Sequence, residues 1–323
     1  MAVAKALITG VLGQDGSYLA EYLIGDGDQV VGLDMPPSAA QSPNVAAVID
    51  ELDYVQGDLL DPTSIRDAIA EVQPDEIYHL AAPSFVPDSW DDPTETMAAI
   101  AGGTAAVLAG ALASNPRPRV WVSTSSEVFG DTNESPQSES SKMRPRTPYG
   151  VAKLAALGLT RTIREHHGLF ACGGILFNHE SPRRPPHFLP RKVTRGAAAI
   201  ALGQKDALTL GDLSAVRDWS DARDIIRGAV LAVRADAPDD YVLASGQGRT
   251  VRQLVEIAFG AAGIGDRIEE CVAVDPSLVR KHEPVPPIGD ASHALGVLGW
   301  RAEIPFEETI REMVAADLRE LAA

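Results

Sequence analysis

The chain has 323 residues and carries 28 Lys and Arg against 45 Asp and Glu, so its formal net charge is −17. Residues 1–100 hold 18 of the acids and only two of the bases, which places nearly all of the excess negative charge in the first third. Such a chain is a poor partner for nucleic acid, whose binding needs a basic stripe, and anionic membranes repel it. Hydrophobic residues make up 45% and charged residues 23%, which is ordinary globular usage and excludes wholesale disorder.

Signals for targeting, disulfides and metals are weak. The two cysteines, Cys172 and Cys271, form no CxxC pair, so the chain offers neither a disulfide framework nor a thiolate metal site. The apolar run at the N-terminus is too short for a signal peptide, and no stretch approaches 18 apolar residues. The histidines show no metal-ligand spacing. We expect a soluble cytoplasmic protein without a metal ion.

Short β-rich runs alternate with helical stretches over the first 180 residues. The predicted strands are 4–9, 29–33, 54–56, 76–80, 120–123 and 173–177. The predicted helices are 17–24, one that opens at Asp61-Pro62 with Asp61 as its N-cap, about 94–113, and 148–166. This alternation indicates a parallel sheet whose strands are joined by crossover helices.

After residue 178 the pattern changes to short helices mixed with short strands, and proline and arginine cluster within residues 181–195. The expected fold class is therefore α/β, with a Rossmann-type doubly wound parallel sheet and a smaller mixed α/β substrate-binding lobe. The dinucleotide-binding domain is predicted to comprise residues 1–177 and about 213–242. The substrate-binding lobe is predicted to comprise residues 178–212 and 243–323.

A glycine-rich turn, TGVLGQDG at residues 9–16, follows the first predicted strand and opens the first helix. Glycines let the backbone approach a pyrophosphate, and the helix N-terminus offers free N–H groups and a positive dipole to it. Its place between a strand and a helix favours dinucleotide binding, with an ordinary tight turn as the alternative.

Asp34 ends the second strand, 24 residues after Gly10. A carboxylate there can accept both hydroxyls of an adenosine ribose and repels a 2′-phosphate. A 2′-phosphate would require Arg or Lys nearby, and no basic residue occurs between Lys5 and Arg66. We therefore expect NAD, with NADP the less favoured cofactor. A solvated acid at a strand end is the alternative interpretation of Asp34.

Tyr149 and Lys153 are four residues apart on a predicted helix and so share one face. A free tyrosine has a pKa of about 10, so only about 0.1% is phenolate at pH 7. An adjacent ammonium and a nicotinium ring can jointly lower the pKa of Tyr149 by about three units. Tyr149 could then act as the base toward a sugar hydroxyl while hydride leaves for the cofactor. Two neighbours on an exposed helix face are the alternative.

Ser125 and Glu127 follow a strand at its carboxyl end, which is the edge where ligands bind in open α/β sheets. Ser125 can hydrogen-bond the substrate hydroxyl and the Tyr149 oxygen. Oxidation of a sugar alcohol to a ketone acidifies the adjacent C–H, and Glu127 could take that proton and return it to a leaving hydroxyl. The alternative for Glu127 is a salt-bridge partner at a strand end.

With these motifs, the chain resembles the extended short-chain dehydrogenase/reductases and, among them, the GDP-mannose 4,6-dehydratases. The matching stretches are spread over nearly the whole chain, and FNHESPRR at 177–184 is the most specific to this family. The others are ALITGVLGQDGSYLAEY at 6–22, QPDEIYHLAA at 73–82, SSEVFG at 125–130, PRTPYGVAK at 145–153, RKVTR at 191–195, RDW at 217–219 and LGW at 298–300.

The resemblance implies a role for each residue that matches a family motif. The implied catalytic residues are Ser125, Glu127, Tyr149 and Lys153. The implied cofactor contacts are Gly10, Gly13, Gln14, Asp15, Asp58, Leu59, Leu80, Ala81, Ala82, Ser84, Tyr149, Lys153, His179 and Arg184. The glycine-rich turn and the end of the second strand add Gly16 and Asp34 to the predicted cofactor contacts. The implied substrate contacts are Ser84, Ser126, Asn178, Lys192, Arg217, Arg280 and Glu283. Arginines near these positions could hold a diphosphate bidentately, with surface solubility as the alternative for any one of them.

The chain departs from the family pattern after the second strand. The family carries Arg-Arg-Ser-Ser there, which grips a 2′-phosphate and helps dimers lock into tetramers, whereas this chain has DMPPS at residues 34–38. Pro83 also stands where the family has a cofactor-contacting Gln. We therefore expect NAD and a homodimer, in which the helices over 94–113 and 148–166 form a four-helix interface.

The expected function is that of a nucleotide-sugar 4,6-dehydratase that takes a nucleotide-diphosphate sugar, GDP-mannose in the first place, and recycles a bound NAD. One alternative is a dehydratase or 4-epimerase acting on a GDP-heptose or on a CDP-, dTDP- or UDP-sugar. An epimerase has no use for a base at C5, so Glu127 favours dehydration. A non-catalytic NAD-binding sensor of the same fold is the other alternative, and the Tyr149/Lys153 pair argues against it.

Overall fold

A computed structural model describes residues 3–35, 42–278 and 285–323. Within these ranges the strands are β1 (Lys5–Thr9), β2 (Gln29–Asp34), β3 (Leu52–Gln56), β4 (Glu76–His79), β5 (Arg119–Ser123), β6 (Ala171–Leu176), β7 (Asn178–Glu180), β8 (Leu208–Leu210), β9 (Val216–Asp221), β10 (Asp240–Leu243), β11 (Gly248–Thr250) and β12 (Val272–Val274). The helices are α1 (Gln14–Gly25), α2 (Pro62–Val72), α3 (Pro93–Met97), α4 (Gly103–Ala113), α5 (Pro148–His167), α6 (Leu189–Ala201), α7 (Ala222–Val233), α8 (Val251–Ala261), α9 (Ile268–Cys271), α10 (Ser292–Leu298) and α11 (Phe306–Ala322).

Seven parallel strands form the central sheet in the order β10-β6-β5-β4-β1-β2-β3. The chain runs outward from β1 in one direction through β2 and β3, and in the other direction from β4 onward. The helices that follow β1 and β4 therefore lie on opposite faces of the sheet, which places a crevice at its carboxyl edge there. The predicted parallel sheet is confirmed, and its strand and helix ends differ from the predicted ones by up to three residues.

The core explains why the sheet is covered on both faces. Successive strand residues point to opposite faces, so Ile8 packs in a cluster with α1 and α7, whereas Leu7 packs in a cluster with α2 and α4. The predicted start of α2 is also found: the Asp61 side chain caps this helix by accepting a hydrogen bond from the Thr63 N–H at 2.9 Å. The doubly wound arrangement expected from the sequence is confirmed.

A further apolar cluster, away from the central sheet, lies among α6, α8 and α11 and includes Val193, Leu254 and Met313. Two small sheets accompany it. One has the order β11-β9-β7, with β7 parallel and β11 antiparallel to β9, and the other pairs β12 with β8. This part of the chain is mixed α/β, as expected. The residue bounds of the two lobes remain a prediction.

The predicted helix over 94–113 is interrupted in the structure. A π-helical turn, Ala98–Gly102, separates α3 from α4. The next residue, Gly103, lies against the Leu59 side chain, and a Cβ there would lie 2.9 Å from Leu59 Cδ2, so the leucine would have to shift. The wider turn thus accompanies a close approach between this helix and the loop after β3.

The stretch Pro93–Ala113 is long and apolar enough to cross a membrane by its length and composition alone. Because no run of about 18 apolar residues occurs in the sequence, the sequence alone does not predict this property of the stretch. Of its most apolar 18-residue window, 56% is buried inside the fold. It packs against α2 and α5. Core helices of soluble proteins pass the same test of length and composition.

Arg234 tests how much an ion pair at the amino edge of the sheet stabilises the fold. Its guanidinium donates to Glu76 at 3.0 and 3.1 Å and to Asp28, and both carboxylates are under 10% exposed. Arg234→Met leaves these charges buried without their cation, so we expect the free energy of unfolding to fall by about 3–5 kcal/mol in urea denaturation.

Arg252→Met is the matched control, because Arg252 pairs with the 85%-exposed Glu269. Its expected loss is below about 1 kcal/mol. Equal losses in the free energy of unfolding for the two variants would contradict the conclusion that the buried Arg234 ion pairs stabilise the fold.

Candidate active site

The glycine-rich turn connects β1 to α1 at the crevice. Gly10 has φ +73, and a Cβ on it would lie 2.9 Å from Ala81 Cα in the loop after β4. A Cβ on Gly16 would lie 2.3 Å from the Gly10 carbonyl oxygen. Both positions therefore require glycine. Gly13 is the N-cap of α1 and provides no side chain, so the first N–H groups of the helix remain available to an anion.

The side chain of Thr9 joins this turn to the loop after β4. Its hydroxyl oxygen accepts the N–H groups of Leu80 and Ala81, each at 3.1 Å, and donates its proton to His79 Nδ1 at 2.8 Å. Burial and the Lys153 ammonium lower the pKa of His79 to about 3, so its ring is neutral and can accept that proton. Four predicted cofactor contacts lie in the loop that this hydrogen bonding fixes: Leu80, Ala81, Ala82 and Ser84.

Asp34 lies beside the turn, as its place at the end of the second strand predicts. Its carboxylate accepts the N–H of Leu12 at 3.2 Å and of Met35 at 2.8 Å. Asn44 donates to the Leu12 carbonyl at 2.9 Å and supports the same loop. Residues 36–38 of the stretch that departs from the family pattern lie outside the described residues.

Asp58 and Leu59, the other predicted cofactor contacts near the sheet edge, follow β3. The Asp58 N–H donates to Ser64 at 3.0 Å, and its carboxylate accepts from Leu60 at 2.8 Å. Leu59 packs over Gly103 at the start of α4. Both residues therefore lie at the carboxyl edge that also carries the glycine-rich turn.

Tyr149 and Lys153 lie in the first turns of α5, which begins with Thr147 as its N-cap and Pro148. They are only 8% and 5% exposed, so the alternative of an exposed helix face does not apply. The Lys153 ammonium donates to the Ser123 carbonyl at 2.8 Å and lies 5.7 Å from the centre of the Tyr149 ring. Ser125, two residues beyond the end of β5, lies beside the Tyr149 phenol, where its side chain lowers the pKa of Tyr149.

Burial changes the acidity of this pair. It raises the pKa of Tyr149 to about 12, with a further rise from Glu127, while the Ser125 hydrogen bond and Arg184 act in the opposite direction. Burial also lowers the pKa of Lys153 to about 8, against the pull of Asp15. The sequence predicts a lowered tyrosine pKa, but the groups of the chain alone do not produce it. Additional positive charge is needed for Tyr149 to become a base at neutral pH.

Glu127 lies in the short turn Ser126–Val128 that follows β5, and it is half-buried. Its N–H donates to the Ser125 hydroxyl at 3.2 Å. A Cβ on Gly150 would lie 2.7 Å from the Glu127 carbonyl oxygen, so the first turn of α5 packs directly on this turn. The glycine after Tyr149 is thus the local reason why Glu127 and Tyr149 are neighbours.

A group of polar side chains joins the first turn of α1 to β7. His179 donates from Nδ1 to the Phe177 carbonyl at 2.7 Å and from Nε2 to Asp15 at 2.8 Å. Burial alone would lower the pKa of His179, but Asp15 raises it overall. In return, although burial opposes it, His179 helps to lower the pKa of Asp15 to about 2. A carbonyl oxygen and an ionised carboxylate can only accept, so both ring nitrogens carry protons and the two side chains form an ion pair.

Arg184 lies near the same group. Its Nε is 3.3 Å from the buried Glu180 carboxylate, and its guanidinium stacks over the Phe188 ring at 3.7 Å. Its charge lowers the pKa of both Asp15 and Tyr149, although burial is the largest influence on each. The cation thus lies close to Tyr149 as well as to the glycine-rich turn.

The predicted substrate contacts are more dispersed. Ser84 is exposed after β4, Ser126 is half-buried after β5, and Asn178 opens β7, where it pairs with Trp219 of β9. Arg217 lies two residues earlier on β9, and the Lys192 ammonium donates to the Thr209 carbonyl at 2.9 Å. Arg280 and Glu283 lie outside the described residues.

Thr9, His79, Ser181 and Arg183 were not among the predicted site residues. Ser181 donates to the Gln14 side chain at 2.9 Å, and Arg183 donates to Ser17 at 3.1 Å. For Arg183 the sequence indicates only that it is one of several clustered arginines. The run HESPRR at residues 179–184 contains Ser181 and Arg183 and marks this segment as part of a family motif. The sequence does not show, however, that the segment contacts α1.

Comparison with known proteins gives a consistent family. The family model described as GDP-mannose 4,6 dehydratase matches residues 7–313. The GDP-mannose 4,6-dehydratase of Sinorhizobium fredii is 41% identical over 97% of this chain and 96% of its own length. The enzyme of the same name from Yersinia enterocolitica is 39% identical over 98% of this chain and 94% of its own length.

Among solved structures, the dTDP-glucose 4,6-dehydratase of Streptomyces venezuelae, described with NAD bound, is similar with a TM-score of 0.82 and 26% identity. The similarity covers 98% of this chain and 97% of that one.

Gly10→Ala tests the close approach between the turn and the loop after β4. Backbone strain at a positive φ costs about 1–3 kcal/mol, and contact with Ala81 adds to it, so we expect a loss of at least about 2 kcal/mol in urea unfolding. Gly25→Ala is the control, since nothing lies within 4 Å of a Cβ at Gly25. A Gly10→Ala variant as stable as Gly25→Ala would contradict the described geometry.

Proposed function

Since the chain belongs to the GDP-mannose 4,6-dehydratase family, we propose that it converts GDP-mannose to GDP-4-keto-6-deoxymannose with loss of water. The observation that carries this proposal is the placement of Glu127 beside the Ser125–Tyr149–Lys153 group at the carboxyl edge of β5. A simple alcohol dehydrogenation needs the tyrosine and lysine alone, whereas removal of water needs a second acid–base group.

The residues present fit a nicotinamide dinucleotide. Gly10 and Gly16 allow the turn to fold tightly against Ala81 and against its own backbone, and the start of α1 has no side-chain cap, so its first N–H groups are available to phosphate oxygens. We propose that Gly10, Gly13, Gln14 and Gly16 hold the pyrophosphate, with the remaining predicted cofactor contacts around them. When bound in its oxidised form, the cofactor supplies the hydride acceptor and a positive charge close to the Tyr149 phenol.

The chain's own residues then divide the proton transfers. Tyr149 takes the proton of the 4-hydroxyl as C4 becomes a ketone, and Ser125 holds that hydroxyl in place. Glu127 takes the proton from C5, which the new ketone has acidified, and gives it to the C6 hydroxyl, which leaves as water. Lys153 stabilises the phenolate. As hydride returns to C6, C5 regains a proton that has exchanged with water, which gives the 4-keto-6-deoxy sugar. The protons balance, because the one removed from C5 leaves in the water molecule and the one removed from the 4-hydroxyl is matched by the one that C5 regains.

The nucleotide-sugar pocket is proposed to involve Ser84, Ser126, Asn178, Lys192 and Arg217, together with Arg280 and Glu283. Guanidinium groups suit a diphosphate because their paired donors match two oxygens at once. The family relationship supports guanosine and mannose as the base and the sugar. A dehydratase or 4-epimerase acting on another nucleotide sugar is the competing assignment.

We propose NAD rather than NADP as the cofactor. Asp34 lies beside the glycine-rich turn, where its carboxylate can accept ribose hydroxyls and repel a 2′-phosphate. The sequence offers no cation between Lys5 and Arg66 to offset that repulsion. The similar Streptomyces venezuelae dehydratase is described with NAD.

We also propose a cytoplasmic homodimer. Trp90, Met97 and Val151 are 63%, 36% and 46% exposed, and they lie on the turn before α3, on α3 and on α5. Since α3 packs against α5, these apolar side chains lie on neighbouring elements that a second copy could cover. Both cysteines are free and buried, which agrees with a reducing compartment.

Glu127→Gln tests the dehydration step. Supplied with GDP-mannose in deuterated water and followed by NMR, the native protein should form a 4-keto-6-deoxy product that carries deuterium at C5. The variant lacks the C5 base, so we expect kcat to fall about 10²–10⁴-fold and C5 exchange to disappear.

Glu134→Gln is the control, because Glu134 lies on the following loop with its carboxylate bonded to the Lys142 N–H at 3.2 Å. Full dehydration by Glu127→Gln would refute the assigned role. Parallel reactions with GDP-manno-heptose, CDP-glucose, dTDP-glucose and UDP-sugars test which nucleotide sugar is the substrate. If an epimer forms without C5 exchange, the assigned reaction is epimerisation and not dehydration.

Asp34→Asn tests the cofactor. By fluorescence titration we expect the native protein to bind NADH more tightly than NADPH, and the variant to narrow that preference by about tenfold because the 2′-phosphate no longer meets a negative charge. Asp53→Asn is the control, since Asp53 is exposed on the neighbouring strand and accepts from Gln29 at 3.1 Å. Tighter binding of NADPH by the native protein would reverse the proposal.

A further inference from the structure

Residues 177–184, called the strap below, lie along the first two turns of α1. Gln14 donates to the His179 carbonyl at 3.2 Å, and Ser181 donates to the Gln14 side chain at 2.9 Å. Further along the helix, the guanidinium of Arg183 stacks over the Tyr18 ring at 3.9 Å, donates to Ser17 at 3.1 Å and pairs with Glu21. The strap is thus fastened to the helix whose start is proposed to hold the pyrophosphate.

The ion pair between Asp15 and His179 is the strap's contact with the first turn of α1. The side chains are only 22% and 12% exposed, so water screens their attraction weakly. The other charged and titratable groups that act on the pair are Arg184, Glu180, Lys153 and Tyr149.

Both ring nitrogens of His179 have partners within the protein: the Phe177 carbonyl at Nδ1 and the Asp15 carboxylate at Nε2. The ring therefore has no nitrogen left for a cofactor. The family resemblance implies that His179 touches the cofactor, and a hydrogen bond from its side chain to the cofactor would require one of these two bonds to break. Asp15, by contrast, lies in the turn itself, next to Gly16 and the first N–H groups of α1.

A carboxylate in that turn would repel a pyrophosphate unless a cation neutralises it. His179 supplies that cation and at the same time joins the strap to the turn. Retention matters for the proposed reaction, because the hydride taken from C4 must return to C6 of the same sugar, so the dinucleotide must stay bound between the two steps.

We propose that Asp15 and His179 are a positioning pair that fastens the strap to the first turn of α1 and thereby slows release of the bound dinucleotide. This inference rests on the proposed function only in requiring a bound nicotinamide cofactor. It assigns His179 an effect on the cofactor that passes through Asp15.

The test is a double-mutant cycle read as a release rate. NADH, and separately NADPH, is bound to the full chain and displaced by an excess of the oxidised form, and the loss of cofactor fluorescence gives the rate. We expect His179→Gln to speed release about tenfold or more, since it opens the strap and leaves the Asp15 charge unpaired. In the Asp15→Asn background the same change should speed release by less than about threefold.

His293→Gln is the matched control. His293 also pairs with an aspartate, Asp239 at 3.0 Å, but on α10 beside β10, at the opposite edge of the sheet from β3. Its release rate should equal that of the native protein. Should His179→Gln fail to fold by circular dichroism, Ser181→Ala removes another fastening without leaving a charge, with an expected increase of roughly threefold.

An unchanged release rate in the foldable strap variant would overturn the proposal. An equal effect of His179→Gln in the native and in the Asp15→Asn backgrounds would also overturn it, because His179 would then act on the cofactor independently. The measurement contains no sugar. If the variants release the dinucleotide faster but the native protein does not dehydrate GDP-mannose, the proposed function is refuted and the positioning role is supported. A native protein that binds neither dinucleotide would refute both.

Discussion

The site depends on the approach of two loops at the carboxyl ends of β1 and β4, where Gly10 passes Ala81 too closely for a methyl group. The Thr9 hydroxyl holds this approach by accepting two N–H groups from the second loop and donating to His79. That proton can be donated only while the histidine is neutral, and burial keeps it so. The glycine-rich turn, the start of α1 and the predicted cofactor loop all take their positions from this junction.

Much of this arrangement can be predicted from sequence because the signals are local. Alternating strand and helix patterns predict a parallel sheet, and such a sheet brings the ends of its strands to one edge. The spacing of Tyr149 and Lys153 predicts a shared helix face, and the position of Ser125 at a strand end predicts its place beside them. Each of these inferences needs only a few neighbouring residues.

Other features depend on contacts between distant parts of the chain. Asp15 and His179 are 164 residues apart, so no local pattern reports their ion pair. The direction of the Tyr149 pKa shift is set by burial, which opposes the effect expected from its neighbouring cation. The π-helical turn that interrupts the long apolar helix, next to the contact between Leu59 and Gly103, is likewise marked by no local pattern.

The uneven charge of the chain also has a partly structural explanation. Several acids of the first hundred residues pair with cations that come much later: Asp15 with His179, Glu21 with Arg183, and Glu76 with Arg234. The scarcity of bases early in the chain thus leaves carboxylates with which cations of later segments can pair. What resembles a solvated acidic face in the sequence is, in these three cases, an attachment between segments distant in the chain.

Lys153 has a consequence for the energetics of binding. With its pKa at about 8, about half of the molecules carry the ammonium near pH 8. An anionic ligand near this nitrogen favours the charged form, so binding draws a fraction of a proton from the solution. The heat released on binding at that pH therefore includes the ionisation heat of the buffer, and it changes when one buffer is exchanged for another of different ionisation enthalpy.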